Sequence, residues 1–126
     1  MSLQRQRLGI VGEDLAVAAL TARGYAILER RYATERGEID IIAEDGGTLV
    51  FVEVRARATA EFGRAAESVT AGKQRRVTRV AIDYLARHQI VNRPCRFDVV
   101  AIDRALDDQP EITIYPNAFQ PLNANV

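Results

Sequence analysis

Apolar positions recur along this chain with two different periods, and the switch between them marks out the elements. From about Leu3 to Arg23, Leu8, Val11, Leu15, Ala19 and Ala22 return at three- and four-residue steps, which predicts a helix with those residues as its buried stripe. Gly24 predicts its end as a C-cap glycine. A second stripe of small and apolar residues, Gly9, Ala16 and Leu20, contains Glu13, an unexpected place for a carboxylate.

Tyr25 to Tyr32 reads as a first strand. After the Arg36-Gly37 turn, Glu38 to Glu44 alternates, with Glu38, Asp40 and Ile42 expected on one face and Ile39, Ile41 and Ala43 on the other. The Asp45-Gly46-Gly47 turn leads into Thr48 to Arg57, whose β-branched content suits the centre of a sheet, with Glu53 on the face of Phe51 and Arg55. Residues 58–68 form a loop carrying Phe62-Gly63. A second helix is expected from about Ala71 to His88, N-capped by Thr70, with Val77, Val80, Ala81, Tyr84 and Leu85 buried and Lys73 and Gln74 extending that stripe to the helix start. Arg96 to Ile102 and Glu111 to Tyr115 read as final strands, and the chain past Pro116 as a surface tail. The order α-β-β-β-α-β-β predicts an α/β fold, a mixed central sheet flanked by helices, as one domain over 1–118 with a tail over 119–126.

Composition narrows the chemistry. With 126 residues, 48% apolar and 27% charged, the chain fits one packed domain, neither disordered nor disulfide-stapled. Its polar N-terminus and the lack of any run of roughly 20 apolar residues make a cytoplasmic protein with no membrane contact the expectation. Cys95 and His88 each stand alone, so a Cys/His zinc site is excluded and any metal must take oxygen ligands. The 17 basic and 17 acidic residues cancel, which argues against gripping nucleic acid by bulk charge. The charge is nonetheless segregated: residues 73–96 carry seven basic residues against Asp83, and residues 97–126 carry Arg104 against five acids. Sixteen of the basic residues are Arg.

The hairpin turn sets Asp40 and Glu53 near one another on adjacent strands. Two carboxylates converging beside apolar neighbours repel, and a shared Mg²⁺ or Mn²⁺ resolves the repulsion, with the Val54 carbonyl as a third ligand. Arg55 adds a fixed positive charge beside them, which is the layout of a phosphodiester site. Glu13 could complete or steer it. Lys73, Gln74, Arg75 and Arg76, at the start of the second helix, are candidate nucleic-acid contacts, with Arg79 either such a contact or ordinary solvated charge. Phe62 could stack on a base or pack down. Glu38 reads as a turn-flanking acid, Asp98 as a structural partner of Arg96, His88 as a helix C-terminal residue, and Tyr25 and Tyr84 as core.

Gly12-Glu13, Gly24-Tyr25, Gly37-Glu38-Ile39-Asp40, Phe51-Val52-Glu53-Val54-Arg55, Lys73-Gln74 and Arg96-Phe97-Asp98-Val99 together resemble the YraN-like proteins, over residues 8 to 102. That family is similar to the PD-(D/E)XK nucleases and Holliday-junction resolvases. The resemblance implies an endonuclease-like core with Asp40 and Glu53 as the two motif acids and Glu13 as the added helix carboxylate. The chain departs from the motif at Arg55, where those nucleases place Lys. An arginine stays charged, with a pKa above about 12, and cannot serve as a base. Three expectations follow: a Mg²⁺- or Mn²⁺-dependent nuclease acting on DNA, with branched DNA among its substrates; a non-catalytic nucleic-acid-binding module on the same fold; or a protein-interaction domain in which basic helix and acidic C-terminal third meet, as in a homodimer.

Overall fold

A computed structural model describes residues 2–59 and 69–120. Seven elements run in the order α1 (Leu3–Ala22), β1 (Ala26–Thr34), β2 (Gly37–Asp45), β3 (Thr48–Ala56), α2 (Ala71–Arg87), β4 (Cys95–Asp103) and β5 (Glu111–Phe119). The strands form one sheet in sequence order, antiparallel throughout except for the parallel pair β3–β4. A parallel pair needs a crossover, and α2 supplies it. This is the α/β arrangement of an endonuclease-like fold.

The helices lie on opposite faces of the sheet. Ala16, Leu20 and Tyr25 of the α1 side pack with Ile41, Ala43, Val50, Val52, Val100 and Ile102. Val77, Val80, Ala81 and Tyr84 of α2 pack with Tyr32, Ile39, Ile42, Leu49, Phe51 and Phe97. Burial on both faces is what the near-continuous apolar runs of β2, β3 and β4 require.

Each helix is closed by the residues that its sequence offers. Thr70 accepts from the Lys73 amide at 3.2 Å and starts α2 as expected. At the end of α1, Gly24 takes φ +98°, its amide donates to Thr21 O at 3.0 Å, and the Tyr25 amide donates to Leu20 O at 3.0 Å. That is a Schellman cap, with Tyr25 and Leu20 in apolar contact across it.

Three details differ from the sequence expectation. On α1 the buried residues are Gly12, Glu13, Ala16 and Leu20, so the second stripe is buried except for Gly9, which is exposed, and Gly12 joins it, while Leu8, Val11, Leu15 and Ala19 sit at its margin and Ala22 is exposed. The reason is close approach: a Cβ on Gly12 would stand 2.6 Å from the Ala56 Cβ of β3. Gly12→Ala should therefore push α1 off the sheet and destabilise the protein by about 1–3 kcal/mol, measurable by urea unfolding.

On β2 the alternation breaks. Ile39 packs on the α2 side and Ile41 on the α1 side, so the expected grouping of Ile39 with Ile41 and Ala43 does not hold. Opposite this break, between the pairs Tyr32↔Ile39 and Arg30↔Ile41, Arg31 adopts φ 53°, a left-handed residue that reorients the strand.

Finally, β5 continues past Pro116 to Phe119 in place of a tail from that point. The proline is tolerated because β5 is an edge strand. Phe119 stacks on Phe97 at 5.1 Å between ring centroids.

Asp98 has the structural role read from the sequence. Wholly buried, it accepts from Arg96 Nε at 2.9 Å, Tyr25 O–H at 2.9 Å and the Asn117 amide at 2.9 Å, and Arg96 also reaches Asp45 at 2.8 Å. His88 caps α2, its Nδ1 3.0 Å from Tyr84 O.

Candidate active site

The ladder between β2 and β3 ends at Ile41↔Val52. The next opposed positions are Asp40 and Glu53, and there the backbones no longer pair. The Asp40 carboxylate takes over the missing bond: its Oδ2 accepts from the Val54 amide at 2.8 Å. In a strand, the amide and carbonyl of one residue point to the same edge, so the Val54 carbonyl faces the Asp40 side too. The neighbouring odd positions confirm the phase, since the Leu49 and Arg57 amides bond on the opposite edge, to Pro94 O and Ile102 O.

Glu53 is 2% exposed. Its Oε2 lies 3.3 Å from Lys73 Nζ of α2, while its buried Oε1 has no hydrogen-bond partner among the described residues. Burial, then the neighbouring Asp40 charge, push the Glu53 carboxyl up to about 7, against the pull of Lys73 and Arg55. Burial also raises Asp40, partly offset by the Val54 amide and by Lys73. The pair is thus held as the sequence reading expected, two carboxylates resisting joint ionisation.

The other candidates separate. Glu13 is buried on α1, but both of its oxygens are engaged: Oε2 with Arg30 at 2.6 Å and Oε1 with Arg31 at 3.3 Å. It lines the groove that leads to Asp40, about 660 Å³ in volume, together with Arg31, Glu38, Val54 and Arg55. Among the described residues, no three His, Cys, Asp or Glu side chains converge on one point. Gln74 donates back to Val69 O at 2.9 Å, closing the helix start, while Arg75 and Arg79 are half-buried and Arg76 is exposed. Phe62 lies outside the described residues.

Lys73 has a partner that the sequence reading did not assign to it. Helical spacing set it with Gln74, Arg75 and Arg76 as a nucleic-acid contact, whereas its ammonium stands on Glu53. A signal was available: it is the one lysine among 17 basic residues.

The donor set suits a hard cation. Two carboxylates, one with an unsatisfied buried oxygen, and a backbone carbonyl on the same edge fit Mg²⁺ or Mn²⁺, which keeps several waters when only one or two carboxylates bind it.

The fold and the acid pair define an α/β protein with an endonuclease-like core. Sequence comparison gives the family: the chain matches the uncharacterised protein family UPF0102 over residues 12–102 and belongs to it, the YraN-like family of the sequence reading. It is 47% identical over 114 residues to a UPF0102 protein of Symbiobacterium thermophilum, covering 90% of this chain and 97% of that one. A UPF0102 protein of Geobacter metallireducens is 42% identical over 120 residues, 95% and 98% of the two chains, and one of Ralstonia pickettii is 54% identical over 102 residues, 77% and 81%. Among the described residues, no helix is long and apolar enough to cross a membrane.

Proposed function

We propose that the Asp40–Glu53 pair binds Mg²⁺ or Mn²⁺ and that the protein hydrolyses phosphodiester bonds in DNA, branched DNA included. The observation that carries this reading is the buried Oε1 of Glu53, which has no hydrogen-bond partner among the described residues and feels the charge of Asp40 where two strands part. A buried carboxylate oxygen with no hydrogen-bond partner destabilises the fold, and such an arrangement is retained where a ligand satisfies it. A divalent cation bound there would supply Lewis acidity toward phosphate and water. Asp40, tied to the Val54 amide, is held rigidly for ligation, and Arg55 adds positive charge beside Glu53 that offsets charge building on a phosphate.

The competing reading, a non-catalytic nucleic-acid-binding module, is favoured by Arg55 in the motif lysine's position. End-labelled single-stranded, duplex, flap and four-way DNA, incubated with Mn²⁺ or Mg²⁺, separates the two. The nuclease reading expects cleavage that EDTA and Asp40→Asn both remove. Retained DNA affinity with no cleavage by wild type under either metal would establish the binding module instead.

A further inference from the structure

Four cations of α2 stand near its start, and only one reaches the acid pair. Lys73 leaves the first turn of α2 with its backbone fixed by the Thr70 cap, and its Nζ is 3.3 Å from Glu53 Oε2. Its side chain is one-third exposed while that of Glu53 is 3% exposed, so the ammonium links the buried carboxylate to the surface. The charge is felt by Asp40 as well.

The choice of residue is informative. This chain uses Arg at sixteen basic positions and Lys at one, and that one stands on the acid pair. A guanidinium is a planar fork with five donors. An ammonium is a compact point charge with three donors that rotate about one stem, so it can touch a carboxylate oxygen and a second acceptor at once. The amides at the start of α2 add partial positive charge on the same side. Glu53 Oε1 is buried and has no hydrogen-bond partner among the described residues, so the lysine satisfies only one of the two carboxylate oxygens.

We propose that Lys73 is a catalytic residue of this site, its ammonium bridging Glu53 and a non-bridging oxygen of the substrate phosphodiester. The inference rests on the nuclease reading above. In the hydrolysis, a water oxygen bonds to phosphorus, the bond from phosphorus to the leaving sugar oxygen breaks, the water gives a proton to solvent, and the leaving oxygen takes one from solvent. Lys73 keeps its protons throughout, holding the phosphate in place and offsetting the negative charge that builds on its oxygens. Arg75 and Arg76 are then outside the catalytic set.

The test compares wild type, Lys73→Met, Lys73→Arg and the double variant Lys73→Met/Arg55→Lys on end-labelled duplex and four-way DNA with Mn²⁺, with circular dichroism as the fold control. In parallel, wild type labelled with [13C]lysine, which gives one lysine side-chain signal, is titrated by NMR with a DNA duplex in EDTA. The expected result is a kcat loss of about 100-fold or more in Lys73→Met with KM little changed. Lys73→Arg should retain part of the activity, Arg55→Lys should restore activity to the Lys73→Met protein, and the lysine signal should shift on DNA addition.

Cleavage by wild type that Lys73→Met retains within about threefold overturns the assignment and leaves the nuclease reading standing. No cleavage by any protein, with the lysine signal still moving, overturns the nuclease reading and the catalytic role and leaves a phosphate contact. No cleavage and an unmoved signal overturn both.

Discussion

At pH 8 the Glu53→Gln protein will be more stable than wild type, by about 2 kcal/mol, and will cleave no DNA. Burial and Asp40 carry the Glu53 carboxyl from its ordinary value of 4.5 to about 7. Each unit corresponds to about 1.4 kcal/mol, so ionising this group in the folded state costs on the order of 3 kcal/mol with the pull of Lys73 already included, and the neutral amide avoids that cost while making a weaker contact to Lys73. Because the folded-state value lies above the unfolded one, the folded protein holds the proton more tightly. The stability of the wild type is therefore highest below pH 4.5 as far as this group is concerned, falls as pH rises toward 7, and levels off above it. Asp40, raised by burial, acts in the same direction. Urea unfolding of both proteins at pH 4.5, 6 and 8 checks this: the gap should open with pH. Mn²⁺ should raise the melting temperature of the wild type at pH 8 and leave that of Glu53→Gln nearly unchanged. A Glu53→Gln protein weaker than wild type at pH 8 would overturn the account, since it would mean that the ionised carboxylate and Lys73 stabilise each other by more than burial opposes.

Asp98→Ala is expected to lower stability by about 3 kcal/mol, because it removes a wholly buried carboxylate that the half-buried Arg96, the Tyr25 hydroxyl and the Asn117 amide all use as their acceptor. Asp98 gathers Arg96, the Tyr25 hydroxyl and the Asn117 amide, tying β4 to the end of α1 and to β5. Removing it leaves Arg96 with Asp45 alone among the acids and the Tyr25 hydroxyl with a donor but no acceptor. Tyr25 reports on the same network: burial and the Asp98 bond hold its hydroxyl above the usual phenol range, so its alkaline titration should move down in the variant. Arg96→Ala and Asp98→Ala should be strongly non-additive, as groups of one network are. Equilibrium unfolding of the two single variants and the double variant measures this directly. Additive losses would show that the residues act separately.

The fold and half of the site were legible in the residues themselves. The element order, the Thr70 cap, the Gly24 terminus and the opposition of Asp40 to Glu53 all follow from local rules: period, capping chemistry and the register that a short hairpin turn imposes. The resemblance to the YraN-like proteins named the two acids and the family, and the match over residues 12–102 bears out the family.

Other features depended on where elements meet. Hydropathy favours the larger residues of α1 as its buried stripe, but the distance of α1 from β3 selects Gly12 and Ala16, and Arg30 and Arg31 of β1 make a buried Glu13 tolerable. The switch of faces within β2 lies opposite the left-handed backbone of Arg31 on the neighbouring strand, a pairing that no period within β2 encodes. Lys73 is twenty residues from Glu53 in the chain, and only the parallel crossover from β3 through α2 to β4 sets its ammonium on that carboxylate. The sequence by itself determined the elements and the two acids, because those depend on neighbours along the chain. The tertiary structure alone decided which stripe is buried, which oxygen lacks a partner and which cation serves the pair, because those depend on distances between elements.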